Sequence, residues 1–361
     1  MSERTMRTRT SAWTAGLASL LLVGSVAPAM AQSPAASMAA MPGMTITKMA
    51  YISPEPATDQ GWNQQGFLGA EAAATAAGVE LIKADNSGYD DPAPILASLK
   101  EDGAQFIVAQ ASGYTTTAAQ FAKDNNIPVI VYDQPALTTP GLVADVATDS
   151  QEGGYLAGVL AANSTKTGTL GIVISADDTN WHKQAGGFVA GAQSVNPDIK
   201  FVQAQVGPAA YGDAAGGKAT TETVIASGAD IIFGMGDGSS FGMLSAVETA
   251  APPAGADKVW FIDVIGDKSS IDTKGVLLSS VLWDFTGTYT QALADLAAGT
   301  FGNQGYTLDA ANGGISLLET AYISTEAAAA VATASAGIAD GSIVVPLTPD
   351  QAAVDALVGA P

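Results

Sequence analysis

Ser240 lies in Gly-Ser-Ser-Phe-Gly (238–242), which has the Gly-x-Ser-x-Gly spacing of a hydrolase nucleophile. A strand pattern precedes it and a helix pattern follows, as a nucleophile elbow requires. The fold that carries such an elbow orders its triad Ser, acid, His, with the histidine base after the serine. The sequence has one histidine, His182, and it comes before. That order argues against a Ser-acid-His triad. Lys218 belongs to a second near match, Gly-Asp-Ala-Ala-Gly-Gly-Lys-Ala-Thr (212–220). Ala219 stands where a phosphate-binding loop needs the Ser or Thr that holds magnesium. The stretch therefore reads as a loop opening a helix. Gly-Met-Gly-Asp-Gly (234–238) follows a strand but lacks the third glycine of the dinucleotide pattern. Gly236 keeps the option of close backbone approach to a ligand. One histidine and no cysteine supply no set for zinc or another transition metal. Asp90-Asp91 and Asp177-Asp178 read as turn residues. No catalytic residue, metal or cofactor is expected.

A different constellation suits binding. In Asp-Gln-Gly-Trp-Asn (59–63), an acid, an aromatic and an amide arrive together just before a helix pattern. Asp59 is a favoured helix N-cap. Trp62 offers a flat face for stacking, and Asn63 offers both donors and an acceptor. Packing between two lobes is the equally balanced alternative for Trp62.

The elements that would place these residues alternate. Short apolar runs such as Ile46–Ile52, Pro128–Tyr132, Gly168–Ile174 and Val259–Val264 are separated by helix patterns. Several runs are apolar on both faces, which suits parallel strands covered on both sides. The region 46–133 holds four strands, and 168–264 repeats the rhythm. The expected fold is α/β, with two doubly wound Rossmann-like lobes and a ligand crevice at the carboxyl ends of their strands. Asp59, Trp62 and Asn63 follow the first strand and fall at that crevice.

The ends and the charge narrow the setting. Arg4, Arg7 and Arg9 precede an apolar run from about Ala12 to Val26, and Ala29-Met30-Ala31 fits a cleavage site. Residues 1–31 read as a Sec-type signal peptide, and 32–44 as a disordered spacer. The run is short of the roughly 20 apolar residues that span a bilayer. With no cysteine, the exported chain carries neither a disulfide nor a lipid on cysteine. Removing residues 1–31 takes away three Arg and one Glu and moves the net charge from −21 to −23. Such acidity argues against nucleic acid and anionic membrane as partners.

The chain resembles the basic membrane protein family of ABC-transporter solute-binding proteins, the purine nucleoside receptor A-like group within the wider periplasmic sugar-binding (type I) fold. Asp59, Trp62, Asn63 and Gly69 match its first-helix signature. Glu-Gly-Gly-Tyr-Leu-Ala-Gly-Val-Leu-Ala-Ala (152–162) is the most specific match, and 186–200 and 310–317 also fit. The resemblance implies a nucleoside or sugar-like solute handed to a membrane permease by a monomeric binding protein. It implies a three-segment hinge near Asp149, Ser280 and Tyr306. The lobes are then 45–149 with 281–306, and 150–280 with 307–361. It places Trp62 on the base, Asn63 on its edge, Asp59 behind that loop, Gly113 and Tyr114 along the same wall, and Asp133 on a polar group. The second lobe departs from the family. The acid that holds ribose falls on Ile265, leaving Asp263 or Asp267 as substitutes. The basic residue falls on Trp283, and the second aromatic falls on Gln184, with Trp181 close by. Trp62 and Trp283 are expected on opposite sides of the pocket. A sensory module presenting a ligand to a membrane sensor is the alternative on the same fold.

Overall fold

A computed structural model describes residues 42–359. The signal-peptide reading and most of the spacer lie outside the described residues. The first lobe is built on β1 (Lys48–Ile52), β2 (Glu80–Ala84), β3 (Phe106–Ala109), β4 (Val129–Tyr132), β5 (Val143–Thr148) and β11 (Tyr306–Leu308). All six strands are parallel, in the order β11-β5-β4-β3-β1-β2. The second lobe uses β6 (Thr169–Ile174), β7 (Lys200–Gln205), β8 (Ile231–Met235), β9 (Trp260–Ile265), β10 (Leu277–Trp283) and β12 (Ile315–Leu317). Their order is β12-β10-β9-β8-β6-β7, and only the edge strand β12 is antiparallel. Strand for strand, the two orders correspond. β3 and β4 are buried along their whole length, as expected of strands covered by helices on both faces.

The chain passes between the sheets three times: after β5, after β10, and between β11 and β12. The second sheet keeps the chain to Trp283 and the first keeps it to Leu308. Each point lies two or three residues past the expected boundary. At the second crossing Trp283 is still paired with Ile315, and at the third Leu308 is still paired with Thr148. β5, β11 and β12 were not anticipated, because each is short or weakly patterned.

The motifs at 152–162 and 186–200 fall on α4 (Ser150–Ser164) and α5 (Thr179–Val195). A Cβ on Gly154 or Gly158 would lie 2.1 Å from the carbonyl oxygen of Gln184 or Phe188, and one on Gly187 or Gly191 would meet Gln151 or Tyr155 just as closely. The two backbones touch, so these glycines are packing requirements. Among the described residues no helix is long and apolar enough to cross a membrane.

Candidate functional site

The carboxyl ends of β1, β3, β4, β6, β8, β9 and β10 meet at a cavity of about 300 Å³ between the lobes. The first lobe contributes Trp62, Asn63, Tyr89, Gly113, Tyr132 and Asp133. The second contributes Asp178, Asn180, Trp181, Tyr211, Asp237, Ile265 and Trp283.

Trp62 opens helix α1 (Trp62–Ala77) and is held from several sides. Its indole N–H donates to the Gln110 carbonyl at 3.1 Å, and the Gln110 amide returns a bond to the Trp62 carbonyl at 3.3 Å. Tyr132, Phe285 and Trp283 meet its ring edge-on, with centroids 5.1, 5.3 and 5.8 Å away. Such pairs add about 0.5–1.5 kcal/mol each beyond area burial. Trp62 and Trp283 are therefore neighbours on one wall, which corrects the expectation that they face each other. Trp283 ends β10 while still paired with β12, and that register carries it to Trp62.

Asp59 works from behind. Its carboxylate accepts from the backbone N–H groups of Gly61, Asn63 and Gln64 at 2.9–3.0 Å and from the Asn63 amide at 2.7 Å. It thus caps the helix from two residues before the N-cap position and does not line the cavity. The same bond fixes the Asn63 side chain. Its carbonyl oxygen is left buried with no partner in the chain, which suits it to accept from a solute.

The second lobe repeats the device. Asp178 accepts from the backbone N–H groups of Asn180 and Trp181 at the start of α5. Asp-x-x-Trp thus recurs at 59–62 and 178–181. The repeat is legible in the sequence, but a turn assignment for Asp177-Asp178 hides it. Asp178 also accepts from the Tyr211 hydroxyl at 2.9 Å. The indole N–H of Trp181 donates to Ser175 at 3.0 Å.

Two carboxylates retain open acceptor sites. Asp133, in left-handed backbone (φ 55°) just past β4, receives only the Asn180 amide, at 3.3 Å. Burial pushes its carboxyl up to about 6, against the opposing pull of Lys183. Asp237, just past β8, accepts the Trp62 backbone N–H on one oxygen at 3.2 Å. Its other oxygen receives nothing from the chain. Burial, then repulsion from Asp59, pushes this carboxyl up to about 7, although the Trp62 N–H and Lys268 oppose the shift. No Lys, Arg or His lines the cavity.

Four expected residues lie elsewhere. Tyr114 is buried in the first-lobe core, with its hydroxyl donating to the Gly88 carbonyl. Gly236 is buried against Ser239 and does not line the cleft; its neighbour Asp237 does. Asp263 is wholly buried, 2.7 Å from Lys268 and accepting from Ser240 at 2.8 Å. Strand alternation turns its side chain under the sheet. Asp267 is exposed and caps the Ser269 N–H. Ser240 is thus a buried structural hydroxyl, and Lys218 pairs with Glu222 on its own helix.

These features belong to a known pattern. The family description "ABC transporter substrate-binding protein PnrA-like" matches residues 46–346. The ABC transporter nucleoside-binding protein BmpA of Lactococcus lactis is 33% identical over 64% of this chain and 67% of its own length. Basic membrane protein D of Borreliella burgdorferi is 26% identical over 62% of this chain and 64% of its own. The chain thus spans about two thirds of the length of these relatives. An ABC transporter solute-binding protein from Conexibacter woesei shares the fold, with a TM-score of 0.71 at 20% identity, over 84% of this chain and all of that one. By the match over residues 46–346, this two-lobed α/β chain with its aromatic, carboxylate-rich cleft belongs to the PnrA-like family of ABC-transporter substrate-binding proteins, a family of extracytoplasmic solute-binding components and not of enzymes.

Proposed function

We propose that the cleft captures an uncharged or cationic ring-shaped solute, nucleoside or sugar-like, and presents it to an ABC permease. One observation carries this reading. The cavity combines indole and phenol rings with acceptor oxygens on Asn63, Asp133 and Asp237, and no cation lines it. Rings favour a flat or ring-shaped body, and open acceptors favour N–H and O–H donors. A phosphate or carboxylate entering this cleft meets only like charge, which disfavours it. The name of the Lactococcus relative supports a nucleoside.

In this reading Trp62 stacks on the ring and Asn63 accepts from its edge. Asp133 and Asp237 accept from donors on either side, and Gly113, Trp181 and Trp283 complete the walls. The two lobes close as two bodies about their three crossovers, after β5, after β10 and between β11 and β12. The protein works as an exported monomer that has lost residues 1–31, with no cysteine to carry a lipid. Mass spectrometry of the co-purified solute tests the ligand class. Calorimetry with adenosine, inosine, guanosine, ribose, galactose and adenosine monophosphate extends the test. Tighter binding of the monophosphate than of adenosine would overturn the reading. N-terminal sequencing of the exported protein should begin near Gln32, and an intact Met1 would contradict the leader.

A further inference from the structure

Besides the cavity walls, the lobes meet at a second place. The turn Gln60-Gly61 of the first lobe lies against Asp237 and the loop 266–270 of the second. Lys268 is wholly buried and pairs with Asp263 of its own lobe at 2.7 Å. It also donates to the Gln60 carbonyl, across the lobe boundary, at 2.9 Å. The Gln60 amide donates to the Ser270 hydroxyl at 3.3 Å.

Two glycines make the contact possible, one from each side. A Cβ on Gly266 would lie 2.1 Å from the Gln60 carbonyl oxygen and 3.2 Å from the Gln65 amide. A Cβ on Gly61 would lie 2.6 Å from an Asp237 oxygen. Every neighbour named for either position belongs to the opposite lobe. Gly61 has φ −132°, and Gly266 is not among the glycines with positive φ. Neither position has the left-handed backbone that favours glycine, and the closest approach at each is the contact between the lobes.

We infer that Gly61, Gly266 and Lys268 form an interlobe latch that positions the Trp62–Asn63 edge of the cleft when the lobes close. Lys268 is a positioning residue. It holds the carbonyl two residues before Trp62 and does not line the cavity. The inference rests on capture of a solute between two closing lobes, but not on which solute is captured. At Gly266 it makes closure an all-or-none contact, because the opposing Gln60 carbonyl is backbone and cannot step aside as a flexible side chain can.

The absence of cysteine allows a direct test. In Q60C/S270C, a short bis-maleimide bridges the thiols only while the latch is shut, so its rate samples closure with or without solute. Adding G266V should slow cross-linking at least tenfold. Circular dichroism and the melting temperature should stay near those of the parent, because the atoms nearest the new Cβ belong to the first lobe. K268M should slow it as well. If that variant fails to fold, because Asp263 loses its partner, G266V alone decides. A folded G266V variant that cross-links at the parental rate overturns the latch. So does a G266V variant that unfolds, because Gly266 would then serve its own lobe. If nucleosides and sugars fail to bind at all, the ligand reading falls while the cross-linking result stands.

Discussion

Replacing Asp237 by Asn should remove most of the pH dependence of lobe closure. In the closed cleft the carboxyl is pushed up to about 7 from the ordinary 3.8, burial being the largest cause. In an open cleft water reaches both oxygens, and the group returns toward its ordinary value. The closed form therefore binds more protons than the open form between about pH 4 and pH 7. Closure is favoured on the acid side and weakens as pH rises through about 7. The gap corresponds to a ceiling of about 4 kcal/mol. Because the carboxylate is only partly shielded, about half of that is a sounder expectation. Roughly 2 kcal/mol is about 30-fold in the closure equilibrium. Asn keeps an oxygen for the Trp62 N–H and carries no charge, so the geometry survives. The charged groups facing this carboxylate are Asp59, Glu55 and Lys268, and only Lys268 favours ionisation. Small-angle scattering of solute-free protein should show a smaller radius of gyration at pH 5 than at pH 8. D237N should be compact at both, apart from a smaller slope from Asp133, whose carboxyl is raised to about 6. Equal radii for the native protein at the two pH values, or an undiminished slope in D237N, would refute the assignment.

Trp62→Ala should weaken solute binding by about 30-fold or more, since loss of a central aromatic anchor costs about 2–4 kcal/mol; calorimetry with the co-purified solute measures it. Trp283→Lys should lower stability by about 3 kcal/mol or more, because an ammonium replaces a ring that is 2% exposed. A melting temperature unchanged from the parent would show that the cleft solvates position 283. Gly158→Val should lower stability by at least the usual overpacking cost of about 1–3 kcal/mol, because its Cβ would lie 2.1 Å from the Phe188 carbonyl oxygen. Calorimetric melting tests that, and solute affinity below the transition should be preserved.

The alternation of strands and helices was legible because buried parallel strands must be apolar on both faces. Trp62, Asn63, Gly113, Asp133, Trp181 and Trp283 followed from the family signature and from their places at strand ends, and all six line the cleft. The most specific motif, at 152–162, was legible as a pattern, but its reason was not. Gly154 and Gly158 are dictated by contact with α5, which no local pattern reveals. Asp237 is hidden inside Gly-Met-Gly-Asp-Gly, a stretch whose glycines carry the recognisable pattern. Its burial and its bond to Trp62 arise only when a residue 175 positions away arrives.

The choice of Asp263 and Asp267 failed for a more instructive reason. β4 and β9 hold the same place in the two sheet orders, and a residue in left-handed backbone stands at the end of each: Asp133, just past β4, at φ 55° and Ile265, the last of β9, at φ 71°. Asp tolerates that region, whereas a β-branched residue is strained there. The left-handed turn aims whichever side chain occupies it at the cleft, so neither the residue two before it nor the one two after it can take its place. Asp263 points beneath the sheet, and Asp267 has already left for solvent. The second lobe therefore presents an apolar group where the first presents a carboxylate. Its carboxylate with an open acceptor site is Asp237, past the neighbouring strand β8, because Asp178 is already taken up by Asn180, Trp181 and Tyr211. The two carboxylates do not mirror each other across the cleft. Such an offset suits a solute whose donors are unequally placed about a ring, and fits poorly with one symmetric about its centre.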